Sequence, residues 1–327
     1  MTINPYSSLP AEAYWRSAVA EKGAMPDTSW ATPKWPITRV DRIATAGSCF
    51  AQHIGRRLRA AGYDVIDAEP APSLLPPERH MDHSYGVYSG RYGNVYTARQ
   101  MRQLAEEAFG LRPVSQSVWA MRGRYVDALR PTIDPEGHTS PHAVVAHRRS
   151  HLERVRALLL EADVLVFTLG LTETWEDLQT GRALPVCPGT VAGTFDPERY
   201  RFRNLTFQDI WEDMLALRTL LHELRGKEKT RMLLTVSPVP LTATASGKHV
   251  MQATTYSKAV LRAVAGQMTD MFDDVDTFHP TRSSATPGPP ARAMPKTCAV
   301  SSTAVSSWSW APLWPSIPGS RFRRQPM

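Results

Sequence analysis

Residues 163–170 and 231–236 are mostly apolar, 39–46 ends in the largely apolar Ile43-Ala44-Thr45-Ala46, and polar or glycine-containing segments bound each of the three stretches. Runs that short without alternation suit strands covered on both faces, the situation in a parallel sheet. Between them the apolar positions change to helical spacing. Ile54 and Leu58 mark one face of a helix over 49–61 that Gly62 closes, and Leu152, Val155, Leu158 and Leu159 mark another over 150–160. Residues 98–109, 207–224 and 252–272 carry further helical patterns, 63–66 a short strand, and 112–141 a small β-rich insertion. Strands alternating with helices predict an α/β fold, a mainly parallel sheet in a three-layer α/β/α sandwich.

Composition agrees with one large globular unit, since 42% of the 327 residues are hydrophobic. The first residues lack a basic stretch followed by an apolar run, and the apolar segment around Val164 to Leu171 is far too short to span a bilayer. The expected location is the cytoplasm, with no membrane partner. Cys49, Cys187 and Cys298 are odd in number and widely spaced, which disfavours a disulfide framework or a paired-cysteine zinc site. The formal charge of +7 raises nucleic acid as a partner, but Arg282, Arg292, Lys296, Arg321, Arg323 and Arg324 supply six of those charges beyond residue 276, where no acid occurs. Residues 1–276 are nearly neutral, so no nucleic-acid partner is expected. The expected organisation is an N-terminal arm over 1–35, with Trp15, Trp30 and Trp35 lying across the domain surface, a domain over 36–276, and a tail over 277–327.

In open α/β sheets ligands bind beyond the carboxyl ends of the strands. Three polar clusters fall there: Gly47-Ser48-Cys49, Thr172-Glu173 and Ser237-Pro238. Gly47 permits a tight turn into a helix, and a hydroxyl or thiolate at that helix N-terminus sits beside backbone donors and the positive dipole end. The bland alternative makes Ser48 a helix cap and Cys49 a small core residue. His80, Asp82 and His83 are ligand-competent but lack two further ligands at suitable spacing, so neither a metal nor another cofactor is expected.

Gly47 to Ala51 spell GSCFA, and with Gly93–Thr97, Thr168–Trp175, Cys187–Thr190, Leu234–Thr244 and His249–Ala263 the chain resembles the GSCFA family over roughly residues 5–276. That family in turn resembles the SGNH hydrolases, which implies an SGNH-like fold and acyl-ester chemistry. On this analogy Cys49 takes the place of the nucleophile serine and Ser48 that of its preceding Asp, so either Cys49 or Ser48 is the nucleophile. Gly93 and Asn94 match the second block and would help hold the oxyanion, while Thr172 stands where Asn is expected and Glu173 could orient a base. His249, beyond the Ser237 strand end, ranks first as base. His53 shares a helix face with Cys49 and reads as structural. The substrate implied is a small-molecule or carbohydrate ester, with a noncatalytic carbohydrate-binding member as the competing class.

Asp276-Thr277-Phe278-His279 matches the Asp-x-x-His of SGNH enzymes, yet the chain loses core character there: Pro and Ser accumulate and Trp308, Trp310 and Trp314 follow no period. Restoring one base before Thr277 lets the codons read Asp-Tyr-Phe-Pro-Ser-Tyr-Glu-Ile, and Lys296-Thr297-Cys298-Ala299 reads back as Gln-Asn-Leu-Arg, both like GSCFA sequence. The tail is therefore expected to be out of frame, and His279 accidental.

Overall fold

The structure, a computed structural model, describes residues 4–21, 32–225 and 229–278. Its elements in chain order are β1 (Ile43–Gly47), α1 (Cys49–Ala60), α2 (Ala98–Ala108), β2 (Val118–Met121), β3 (Arg124–Asp127), α3 (Pro141–Glu161) and β4 (Val164–Leu169). There follow β5 (Glu173–Asp177), β6 (Arg182–Leu184), β7 (Tyr200–Asn204), α4 (Phe207–Arg225), β8 (Arg231–Val236), α5 (Val250–Met271) and β9 (Val275–Phe278). Four strands pair in parallel in the order β1-β4-β8-β9, and a bridge from Val65 to Ile43 adds to the outer edge.

Successive residues of a strand face opposite sides, and both sides here are apolar. Ala44, Ala46, Leu165, Phe167, Met232 and Leu234 join one core with α2, α3, α4 and α5. Ile43, Val164, Val166 and Leu233 face the other way, against Phe50, Ile54 and Leu58 of α1. The sequence therefore yields the predicted three-layer α/β/α arrangement, with four helices on one face and α1 on the other.

Several element boundaries differ from expectation. The first strand begins at Ile43 because Asp41 turns the chain, accepting from the Thr38 N–H at 2.6 Å and the Thr38 hydroxyl at 3.0 Å. The expected strand over 63–66 is reduced to its single bridge. Helix α3 starts at Pro141 rather than near 150, capped by the Ser140 hydroxyl, which accepts from the Ala143 N–H at 3.2 Å. Its buried stripe includes Arg148 and His151, two polar side chains that conceal the helical period from a hydrophobicity reading. The antiparallel sheet β6-β5-β7 was also not anticipated, because its strands are charged. The β-rich insertion is the β2–β3 hairpin.

Of the three tryptophans expected on the surface, Trp35 does lie there: its Nε1 donates to the Asp273 carbonyl at 3.2 Å and its ring stacks beneath Arg231. Trp15 is exposed and Trp30 lies outside the described residues. Strand β9 runs through the 276/277 boundary, pairing with β8 from Val275 to Phe278. The Asp276 carboxylate accepts from the Lys34 N–H at 2.9 Å, a tie to the N-terminal segment. His279 and the rest of the tail fall outside the described residues.

The turn that ends β1 explains Gly47. Its φ is +138°, and a Cβ there would stand 2.5 Å from the Thr168 carbonyl oxygen and 2.8 Å from the Thr168 nitrogen, both backbone atoms of the neighbouring strand. Gly47→Ala is expected to cost about 2–4 kcal/mol, from a strained backbone and a forced separation of β1 from β4. Thermal unfolding with a melting point within a degree of wild type would contradict this.

Candidate active site at the strand ends

Beyond the carboxyl ends of β1, β4 and β8 four segments meet. Gly47 accepts from the Val95 N–H at 2.9 Å, the Gly170 and Leu171 N–H groups both donate to the Tyr96 carbonyl, and the Ser237 N–H donates to the Leu169 carbonyl at 2.8 Å. Gly170 is close enough to the turn that a Cβ on it would meet the Ser48 Cβ at 2.9 Å. The expected blocks around Ser48, Asn94, Thr172 and Ser237 are thus brought to one end of the sheet.

Ser48 and Cys49 differ in access. Ser48 is the N-cap residue of α1 in extended conformation, but its hydroxyl makes no capping bond; it is 3% exposed, and Oγ is buried without a hydrogen-bond partner among the described residues. Cys49, the first helical residue, is only half-buried. Lys258 on α5 is electrostatically coupled to it, and its ammonium donates to the Gly170 carbonyl at 2.6 Å. Burial brings the Lys258 pKa down to about 8, while attraction to Cys49 opposes that shift. Tyr88 also feels Cys49, and burial first of all raises its pKa well above the ordinary tyrosine value. Tyr88 therefore stays a donor. It receives a bond from Gln52 Nε2 at 3.1 Å and donates to Asn94 Oδ1 at 2.6 Å. The chain Gln52–Tyr88–Asn94 fixes the amide so that Asn94 Nδ2 supplies its remaining donors.

Other expected residues have structural employment. Thr172 is buried; its N–H donates to Ser257 Oγ at 3.0 Å and its hydroxyl to Asn204 Oδ1 at 2.6 Å. Glu173 accepts from the Thr244 hydroxyl at 2.6 Å. The Ser237 hydroxyl accepts from the Val239 N–H at 3.3 Å. Gly93, at φ +69°, makes the turn that delivers Asn94 and faces Ile133. His249 is exposed and caps α5, its Nδ1 accepting from the Met251 N–H at 3.2 Å. Lys258 lies nine residues further along that helix, about 13 Å along its axis, so capping and coupling to Cys49 fall to different residues. His53 pairs with Arg56 at 2.9 Å on the flank of α1.

With the geometry described, comparison with known proteins adds one result. The sequence model of the GSCFA family matches residues 42–281. The chain belongs to the GSCFA family. Searches of curated proteins and of solved structures gave no match. Among the described residues of this GSCFA protein, no helix is long and apolar enough to cross a membrane.

Sequence reasoning missed Lys258, Tyr88 and Gln52. A signal for Lys258 existed: it follows Ser257 and precedes Leu261 by three, placing a lysine beside the stripe that α5 buries. Tyr88 and Gln52 carry no such signal, since only the path of the loop after residue 66 brings the tyrosine over α1.

Behind Asn94 the fold is tied by a buried charge network. Arg148 donates to both Glu107 oxygens, at 2.7 and 2.5 Å, and to Asp127 at 2.9 Å. Arg182 and the Ser115 N–H also reach Glu107, and Arg130 reaches Asp127. Burial alone would raise the Asp127 carboxyl, but the charges of Arg148 and Arg130 outweigh it and hold it well below the usual carboxylate range. Glu107 is lowered in the same way, burial being overcome by Arg148 and Arg182.

Proposed function

We propose that this GSCFA protein is an acyl-ester hydrolase or acyltransferase of SGNH-like type, with Cys49 as nucleophile and Lys258 as its base. The observation that carries the reading is a half-exposed thiol at a helix N-terminus, electrostatically coupled to a lysine whose pKa burial has brought to about 8. Such a lysine is partly neutral near pH 7 and can take a proton.

In the first step Lys258 removes the thiol proton and the sulfur forms a bond to the ester carbonyl carbon. The developing oxyanion is met by Asn94 Nδ2. The carbon–oxygen ester bond then breaks, and the Lys258 ammonium returns its proton to the leaving alkoxide. Water or a sugar hydroxyl, deprotonated by Lys258, attacks the thioester and releases the acyl group with the Cys49 thiol restored. Water as acceptor gives an esterase; a sugar hydroxyl gives an acyltransferase. O-acetyl groups on carbohydrate are the first substrate class to try, by analogy with SGNH enzymes. A cytoplasmic setting would keep the thiol reduced.

The test is p-nitrophenyl acetate hydrolysis by the chain as given and by a form with the reading frame restored after Asp276, from pH 6 to 10. If the tail is out of frame, the restored form is the more active of the two. For Lys258 as base, kcat/KM rises about tenfold per pH unit below 8 and levels above it, because deprotonation creates the active form. Lys258→Met is expected to lose about 10²-fold and this rising limb. A flat profile unchanged by Lys258→Met would remove Lys258 from the mechanism.

The noncatalytic carbohydrate-binding reading rests on Ser48 and Thr172 standing where SGNH enzymes carry Asp and Asn, and on His249 being used as a helix cap. A folded, frame-restored protein inert to a panel of acyl esters would favour it.

A further inference from the structure

A second cluster of chemistry-bearing side chains lies away from the strand ends, where the loop after the β2–β3 hairpin meets α3. Asp134, His138 and His147 bring one ligand atom each to within 4.8 Å of one another. His138 Nε2 stands 3.3 Å from Asp134 Oδ2, and His147 Nδ1 stands 3.7 Å from the same oxygen. A tetrahedral zinc with bonds of about 2.0–2.1 Å sets its ligand atoms roughly 3.3 Å apart, so these spacings are close to the edges of such a site.

The second observation is the oxygen itself. Asp134 Oδ1 is satisfied by Arg91 at 2.7 Å, whereas Oδ2 is buried with no hydrogen-bond partner among the described residues. A buried carboxylate oxygen left without a donor asks for an explanation, and a bound cation is one. The two histidine nitrogens nearest it are the natural co-ligands.

The frame is preorganised. His138 is held by two backbone bonds to Tyr125 of β3, at 2.7 and 3.0 Å, and His147 projects from the second turn of α3. His83 Nδ1 lies 3.7 Å from Asp134 Oδ1, where it can orient the carboxylate from outside the metal. Two cations oppose a metal here. Arg130 reaches His147 Nδ1 at 3.3 Å and Arg91 reaches Nε2 at 3.5 Å. Arg130 is also bound to Asp127 and to the Arg91 carbonyl, so it retains two anchors when it releases the imidazole.

We propose that Asp134, His138 and His147 form a binding site for a zinc-class divalent ion, with a water in the fourth position, that clamps the insertion to α3. This chemistry is independent of the Cys49 reaction.

The test uses the full chain, stripped with chelator, and zinc sulfate alone at pH 7.5, read by competition with a chromogenic chelator and by cobalt(II) absorption. The expected result is one ion per chain and a tetrahedral cobalt spectrum. His138→Ala should weaken binding at least about 100-fold, His138→Cys should retain it, and His142→Ala, on the exposed side of α3, should leave it unchanged. His138 is half-buried and its two backbone bonds to Tyr125 do not depend on the side chain, so circular dichroism should show both variants folded. No binding by wild type up to about 100 μM zinc, or equal affinity in wild type and His138→Ala, would overturn the site.

Discussion

Replacing Cys49 by Ala is expected to reduce kcat/KM toward short acyl esters by at least about 10³-fold, while Ser48→Ala stays within about tenfold of wild type. Access and reactivity both favour the thiol. Ser48 Oγ is enclosed, whereas Cys49 is half-exposed and electrically coupled to Lys258. Thiol alkylation should reproduce the Cys49→Ala loss. Rates measured on both variants with matched circular dichroism decide the matter: if Ser48→Ala is the silent one and Cys49→Ala retains activity, the hydroxyl is the nucleophile.

The largest stability loss should come from Arg148→Leu, at about 3–5 kcal/mol, a large part of the roughly 5–15 kcal/mol that holds a typical domain together. Leucine fills much of the space but leaves the Glu107 and Asp127 carboxylates each short of a guanidinium contact inside the protein. Arg148→Lys should recover only part, because an ammonium cannot serve both Glu107 oxygens and Asp127 together. Both carboxyls have lowered folded pKa values, so the Arg148 contribution is fully present above their unfolded values near 4. As pH falls through the lower folded values it disappears. The gap between wild type and Arg148→Leu in urea unfolding should therefore be widest at neutral pH and narrow below about pH 4. A gap under about 1 kcal/mol at pH 7 would show that the network contributes little.

The buried strands could be read from the sequence because nothing but continuous apolar character suits them, and β4 and β8 fall within the runs that predicted them. Elements that bury charge were hidden. Helix α3 uses Arg148 and His151 as core positions, and β6 carries the buried Arg182, so period and hydrophobicity disagree there. The candidate site was half legible for a similar reason. Gly47, Ser48 and Cys49 are contiguous, and a strand followed by a tight turn and a helix gives their position. Lys258 reaches the same place from more than 200 residues away, by a route that depends on how α5 lies across the sheet.

Cys49 belongs to α1 and Lys258 to α5, helices packed on opposite faces of the sheet, and the electrostatic coupling between the two side chains spans these layers. If they act as a pair, the sheet serves as their calliper. A shift of one layer over the other by a fraction of a side chain would misalign sulfur and amine without unfolding anything. Substitutions deep in either core, remote from every substrate atom, would then register first as lost turnover, with the melting temperature following behind.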